Sequence, residues 1–171
     1  MTTSIVRYLG ELRTSCMHLQ SGTEILTDAP TDNHGKGEAF SPTDLVATSL
    51  GSCMISIMAI KSKDMDLELK GSTVEVTKIM QAEPRKIARI EVILNISVAT
   101  TDKNKTILER SALTCPVFLS LHPDIVKKIV FNWKDNESIA TGAVPINKCW
   151  SLSMVTTTVC FALVSLAALG L

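Results

Sequence analysis

The feature that most limits how this chain can fold is a run of sixteen residues without a charge, "LVATSLGSCMISIMAI", from Leu45 to Ile60. Ser41 can act as a helix N-cap just before it, Pro42 suits the first helical position, and Asp44 places a carboxylate in the first turn. A helix that is apolar all round is either a protein core or a membrane span. Sixteen helical residues extend about 24 Å, less than the roughly 30 Å of bilayer hydrocarbon, so we predict a central core helix.

Segments of alternating polar and apolar residues lie on both sides of this helix. Residues 3–27 are predicted as a three-stranded meander with turns at Gly10 and at Ser21-Gly22. After the helix, the pattern predicts strands over 67–81 and 87–99, a second helix capped by Thr101 or Asp102, a short helix that starts at Cys115, and a last strand over 124–134. This order of elements predicts an α+β fold with antiparallel sheet.

The chain changes character near its C-terminus. We predict one domain over residues 1–136, a linker over 137–150 and an apolar C-terminal tail over 151–171. The tail has 21 residues without a charge, about 31 Å of helix, and Lys148 and Trp150 precede it as interface anchors would. Three consecutive threonines at 156–158 favour strand and weaken the membrane interpretation. A membrane anchor and an apolar tail packed on the domain or on a partner both remain open.

The charges and the five cysteines limit the classes of function. Lys plus Arg and Asp plus Glu number 17 each, and no basic face stands out, which argues against nucleic acid as a partner. The cysteines are odd in number and form no CxxC pair, and the three histidines are well separated, so we predict no disulfide framework and no metal site. The N-terminus also lacks the pattern of a secretory signal. We therefore expect a reducing, cytoplasmic location, with the tail as a membrane tether in one of its two interpretations.

Two of the cysteines have distinctive surroundings. Cys53 lies inside the predicted core helix, where a thiol is either one more small apolar side chain or, beside a cation, a nucleophile. Cys115 lies at the predicted start of a short helix, just before Pro116. Unpaired backbone N–H groups and the helix dipole favour an anion there, so we expect the Cys115 thiol to ionise more readily than usual.

These two cysteines carry a resemblance to a known family. The segment "GKGEAFSPTDLVATSLGSCMISIMAI", followed 62 residues after its cysteine by the cysteine of "TCPVFLSLHP", is similar to the OsmC/Ohr family of osmotically inducible and organic hydroperoxide resistance proteins. The likeness covers residues 4–134. It implies an intertwined homodimer in which sheet wraps two central helices and each active site lies across the interface. It also implies a thiol peroxidase with no bound cofactor that acts on organic, lipid-like hydroperoxides.

In this resemblance Cys53 matches the peroxidatic cysteine and Cys115 the resolving cysteine. Cys53 would form a sulfenic acid, Cys115 would close a disulfide with it, and an external dithiol, for example of lipoyl type, would reduce that disulfide. An apolar substrate pocket would contain Leu50, Met54 and Ile57.

The resemblance also implies an arginine near the reactive cysteine, fixed by a glutamate ten residues before that cysteine. The corresponding position here is Thr43, with Asp44 next to it. Arg13 is the first candidate for the cation and Lys36 its substitute, while Glu38 is a further candidate for the carboxylate. Asp44 is interpreted first as a helix-start charge and second as a replacement for the glutamate.

Two other classes of function remain open from the sequence. The domain can be a non-catalytic relative that binds an apolar small molecule in the dimer cleft, which predicts no cation within reach of Cys53. It can also be a cysteine hydrolase that pairs Cys115 with His122, seven residues later. A histidine at a helix end more often contacts the last carbonyl groups of that helix.

Overall fold

The computed structural model describes residues 1–134. These residues form two three-stranded sheets and three α-helices, and the α+β class with a long central helix is confirmed. The predicted linker and tail lie outside the described residues. In chain order the elements are β1 (Ser4–Gly10), β2 (Arg13–His18), β3 (Glu24–Asp28), α1 (Pro42–Ser62), β4 (Thr73–Gln81), β5 (Lys86–Ile96), α2 (Asp102–Leu113), α3 (Pro116–Ser120) and β6 (Val126–Trp133).

The first sheet is the antiparallel meander β1-β2-β3 that the alternation predicts. Its first turn contains Glu11 and Leu12, which both have positive φ angles, 49° and 62°. Residues other than glycine rarely adopt this left-handed conformation, so the turn is strained. The register places Arg13, the first residue of β2, opposite Asp28, the last residue of β3. This cross-strand pair therefore lies directly after the strained turn.

The second sheet has the order β4-β5-β6. β4 and β5 are antiparallel, but β6 is parallel to β5, so the prediction of antiparallel sheet does not hold for this pair. The reason is that α2 and α3 cross over between β5 and β6 and return the chain in its original direction. β4 also begins at Thr73 rather than at residue 67, because Asp66 and Gly71 have positive φ angles and turn the chain before the strand.

The helix α1 begins with the predicted cap. The Ser41 hydroxyl accepts the backbone N–H of Asp44 at 3.1 Å, and the Asp44 carboxylate accepts the N–H of Ser41 at 2.9 Å, which is a capping box. Within residues 1–134, Pro42–Met65 is the one helical segment long and apolar enough to cross a membrane by length and composition. Its buried face packs on β4 and β5 and forms the protein core, which identifies α1 as a core helix. That face consists of Ala47, Leu50, Gly51, Met54, Met58 and Ser62.

The helix packs closely on β4 at Gly51. A Cβ atom at this position would lie 2.7 Å from Cγ2 of Val76 and 3.0 Å from Cγ1 of Val74. We expect Gly51→Ala to destabilise the fold by about 1–3 kcal/mol, although alanine is the better helix former by about 1 kcal/mol. Urea unfolding measures the change. In a Val76→Ala background the same substitution should cost much less, and a Gly51→Ala protein more stable than the native chain would contradict the prediction.

The hydrophobic core leaves one of the two sheets uncovered. Within residues 1–134, every core residue lies between Ala47 and Trp133, so the β1–β3 sheet contributes none. Adjacent residues of a strand point to opposite faces of its sheet, and Ile25 and Leu26 are 45% and 47% exposed. Val6 on β1 is 62% exposed. Both faces of this sheet therefore present apolar side chains to solvent, and covering apolar surface of this kind is favourable.

Candidate active site

The two cysteines singled out by the sequence lie together where α1 meets α3. Cys53 is half-buried at the edge of the buried face of α1, next to the core residue Met54. Cys115 is the N-cap of α3 and is fully buried, and its thiol accepts the backbone N–H of Phe118 at 3.3 Å. Both cysteines are free thiols, and they are close enough to interact electrostatically. The fold thus supplies a pair of reduced thiols from residues 62 positions apart in the sequence.

The acidity of Cys115 differs from the sequence expectation. Burial raises the pKa of the Cys115 thiol, and the neighbouring Cys53 thiol raises it further. The N–H groups of Phe118 and Val117 at the start of α3 lower it, as the helix-start argument predicts, but their effect is smaller. The expectation that Cys115 ionises more readily than usual is therefore wrong, because the sequence pattern shows the helix start and not the depth of burial.

Arg13, the first candidate for the activating cation, is held by two carboxylates. Its Nη2 donates to Oδ2 of Asp28 at 3.0 Å and to the Glu38 carboxylate. Its Nε and Nη1 form no hydrogen bond with residues 1–134, so the guanidinium keeps donors free for an anion. The backbone N–H of Glu38, followed by Arg13, holds the pKa of the Asp28 carboxyl below its usual value despite burial. Asp28 is a residue that the sequence analysis missed.

Lys36, the substitute cation, forms an ion pair with Glu11 in which both side chains are exposed. Exposed ion pairs contribute little stability and hold their side chains loosely. Within the described part of the chain, neither Lys36 nor Arg13 donates a hydrogen bond to Cys53. Arg13 therefore stays the stronger candidate, because two carboxylates hold its guanidinium, one of them buried.

Thr43 and Asp44 contact a different cation, Lys78. Its Nζ donates to Asp44 Oδ1 at 2.7 Å, to Thr43 Oγ1 at 2.9 Å and to Ser41 Oγ at 3.3 Å. An ammonium group has three N–H donors, so these partners use all of them. The sequence did carry a signal for Lys78, because alternation along β4 places it on the same face as Val76, which packs on α1.

Asp44 is confirmed as a helix-start charge by its capping box. Burial by itself raises the pKa of its carboxyl, but hydrogen bonds from Lys78 and Ser41, together with the charge of Lys78, outweigh this effect and lower the pKa. Thr43 and Asp44 are thus occupied by the lysine of β4, and neither forms a hydrogen bond with Arg13 within the described residues. The position where the resemblance implies an arginine-binding glutamate serves here to join α1 to β4.

Two of the three residues predicted to line the substrate pocket are not accessible. Leu50 and Met54 are fully buried in the core, because residues three and four positions apart share the face of α1 that packs on the second sheet. They therefore cannot line an open pocket, whereas Ile57 is only partly buried and its role stays a prediction. The structure has a cavity of about 450 Å³ at the N-terminal half of α1. Its lining consists of Gly37, Glu38, Ala39, Phe40, Asp44, Ala47, Thr48, Val76 and Lys78.

The structure gives no support to a Cys115–His122 pair. His122 is exposed, and its Nδ1 accepts the backbone N–H of Asp124 at 3.2 Å. Cys115 is fully buried, and no hydrogen bond joins it to His122 within residues 1–134. The hydrolase hypothesis therefore lacks its nucleophile–base contact.

Fold and site together define an α+β protein that holds a pair of free thiols between the central helix α1 and the start of the short helix α3. The model of the family described as OsmC-like protein matches residues 35–129, and the chain belongs to this family. The chain is similar to a protein from Psychrobacter arcticus that is named for osmotic stress induction and a detoxification response and whose crystal structure is known. The two sequences are 54% identical, and the two structures superpose with a TM-score of 0.75. The match covers 77% of this chain and 96% of that one.

Two more distant structures share the fold. An organic hydroperoxide resistance protein OsmC from Legionella pneumophila is 15% identical with a TM-score of 0.62, over 77% of this chain and 98% of that one. An organic hydroperoxide resistance protein from Elizabethkingia anophelis, with thiocyanate bound, is 16% identical with a TM-score of 0.62. The match covers 78% of this chain and 98% of that one. At this identity the likeness shows the fold alone. Among curated proteins, none matches the sequence.

Proposed function

We propose that this protein is a thiol peroxidase that reduces organic hydroperoxides with Cys53 and Cys115. The observation that carries the proposal is the proximity of the two free thiols between α1 and α3. The names of the Legionella and Elizabethkingia proteins, which refer to resistance to organic hydroperoxides, support this class of substrate. The alternative of a non-catalytic binding protein predicts no cation within reach of Cys53, and within residues 1–134 neither Arg13 nor Lys36 donates a hydrogen bond to that thiol. A binding function does not require a second thiol next to Cys53, so the thiol pair favours the peroxidase, and the reaction with a hydroperoxide described below distinguishes the two.

The proposed reaction has three balanced steps. The Cys53 thiolate attacks the terminal oxygen of the hydroperoxide, the O–O bond breaks, and protonation of the leaving oxygen yields the alcohol and a Cys53 sulfenic acid. The Cys115 thiol attacks the Cys53 sulfur, which forms the disulfide and releases water. An external dithiol then reduces the disulfide by thiol–disulfide exchange and becomes a disulfide itself.

The burial of the two cysteines supports the proposed roles. Cys53 is half-buried and can meet a substrate, whereas Cys115 is fully buried. Burial also raises the pKa of the Cys115 thiol and so lowers its thiolate fraction, and the thiolate is the form that attacks a peroxide. Cys53 is therefore the attacking cysteine of the proposal and Cys115 the resolving one.

We further propose that the protein works as a homodimer. The β1–β3 sheet exposes apolar side chains on both faces, and Ile60 on α1 is 64% exposed. A second copy of the chain can cover these surfaces with the equivalent ones of its own, as in a two-fold symmetric dimer. Arg13 lies in this uncovered sheet, so we propose that it reaches the Cys53 thiol of the partner subunit. A guanidinium fork suits this role because it can hold a thiolate and a peroxide oxygen at the same time.

A single-turnover reaction tests the proposal. The reduced full chain is mixed with one equivalent of cumene hydroperoxide, and products are identified by chromatography and by mass spectrometry of peptides. We expect one equivalent of the alcohol and a disulfide between Cys53 and Cys115, formed far faster than free cysteine oxidises under the same conditions. A chain whose two thiols stay reduced, or oxidise only at the rate of free cysteine, would contradict the proposal.

A further inference from the structure

Asp28 carries a carboxylate in a fully buried position, with 1% of the residue exposed. Its Oδ2 accepts two hydrogen bonds, from Nη2 of Arg13 at 3.0 Å and from the backbone N–H of Glu38 at 3.0 Å. Its Oδ1 is the one buried side-chain oxygen or nitrogen of residues 1–134 that has no hydrogen-bond partner there. Buried polar atoms are almost always hydrogen-bonded, so the unpaired Oδ1 calls for an explanation, although the donors on Oδ2 favour the ionised carboxylate and lower its pKa.

The surroundings of Asp28 fix Arg13 in place. Asp28 and Arg13 are direct cross-strand neighbours at the end of the first sheet. The other partner of Arg13, Glu38, lies on a loop and has 59% of its side chain exposed, whereas the side chain of Asp28 is fully buried. The Arg13 side chain is itself 30% exposed, so what distinguishes the two partners is the carboxylate: Asp28 is fixed in place by its burial, whereas the exposed Glu38 side chain is free to move. The strained turn at Glu11 and Leu12 ends directly before Arg13, and such strain is typical of functional positions.

No carboxylate at the start of α1 contacts Arg13 within the described residues. Thr43 occupies the position of the implied glutamate, and its hydroxyl accepts a hydrogen bond from Lys78. The adjacent Asp44 is paired with the same lysine. The carboxylates that contact Arg13 come from other elements: Asp28, the last residue of β3, and Glu38 in the loop that follows it.

We infer that Asp28 is the positioning residue of the peroxidase site: through the bond from Nη2 it orients Arg13 so that the free Nε and Nη1 face the reacting thiolate and peroxide. This inference rests on the proposed function. Asp28 touches neither substrate nor Cys53 and acts only through Arg13. The buried carboxylate on the β1–β3 sheet thus takes the place of the glutamate that α1 lacks.

A double-mutant cycle on the full chain tests the inference. The second-order rate constant for Cys53 oxidation by cumene hydroperoxide is measured for the native chain, Asp28→Asn, Arg13→Ala and the double variant, with thermal melting to verify folding. We expect Asp28→Asn to lower the rate constant about 10- to 100-fold, the range found when a supporting residue of a site is lost. In the Arg13→Ala background the same change should alter it by less than about twofold, since coupled residues are not additive.

The matched control is Asp32→Asn. Asp32 also pairs with an arginine, Arg85 at 3.1 Å, but both side chains are exposed and lie outside the proposed site. We expect its rate constant to stay within about twofold of the native one. If Asp28→Asn does not fold, Asp28→Ser, a smaller polar side chain that also lacks the charge, takes its place at both positions of the cycle, so that the effect is still measured with Arg13 present and with Arg13 absent.

The outcomes separate the two proposals. An active native chain with an equally active Asp28→Asn variant overturns the role of Asp28 and leaves the peroxidase proposal intact. A further tenfold loss when Asp28→Asn is added to Arg13→Ala also overturns it, because Asp28 would then act independently of Arg13. A native chain that reacts no faster than free cysteine overturns the proposed function, and the inference with it.

Discussion

Replacement of Cys53 by serine is expected to abolish hydroperoxide reduction, with a loss of at least about a thousandfold in turnover. A serine hydroxyl is almost completely protonated at neutral pH and forms no sulfenic acid, so neither the attack on the O–O bond nor the disulfide can follow. Consumption of cumene hydroperoxide in the presence of dithiothreitol measures the effect. The matched control is Cys16→Ser on β2, a free cysteine outside the proposed site, which should retain activity within about twofold.

The variant Cys115→Ser separates the two cysteines. It should still reduce one equivalent of hydroperoxide at close to the native rate, because the first step needs only Cys53. The sulfenic acid should then accumulate, and dimedone should label it on the Cys53 peptide. Full turnover in Cys53→Ser, or loss of the first step in Cys115→Ser, would reverse the assigned roles.

The sequence predicts the elements of the fold better than their arrangement. The cap and the uncharged run that define α1, the meander of β1 to β3 and the helix start at Cys115 are local patterns, and the structure confirms each of them. The direction of β6 is not local, since it depends on where α2 and α3 return the chain to the sheet. The start of β4 is predicted too early for another reason. The alternation of polar and apolar residues continues across the turn at Asp66 and Gly71, which the φ angles reveal.

The limits at the site have a similar origin. The sequence pattern places Cys53 and Cys115 at their helices, but it predicts the wrong direction for the pKa shift of Cys115, because depth of burial is a property of the assembled fold. It missed Lys78 and Asp28, which lie on strands far in sequence from the residues they contact. Charged residues on strands are common, so the alternation that places Lys78 on the same face as Val76 is a weak signal, and it gains weight only once the partner and the burial of the lysine are known.

The second large effect that we expect is complementation between two inactive chains. If the Cys53 thiol of one subunit meets Arg13 of the other, a heterodimer of Arg13→Ala and Cys53→Ser contains one complete site. In that site the Arg13→Ala chain supplies Cys53 and Cys115, and the Cys53→Ser chain supplies the arginine. The expectation rests on the proposed dimer, in which a second copy covers the sheet that carries Arg13, and this sheet exposes apolar side chains on both faces.

Co-expression of the two full-length variants with different affinity tags, and purification of the doubly tagged species, measures the effect. Each variant alone should be nearly inactive, and the heterodimer should have about half the activity of the native dimer, since one of its two sites is complete. As a control, Cys53→Ser is paired with a chain that carries both substitutions, which leaves no Cys53 and should give no recovery. A doubly tagged species without activity would place the whole site within one chain. Failure to obtain any such species would contradict the dimer itself, and with it the proposal that a second subunit covers the β1–β3 sheet.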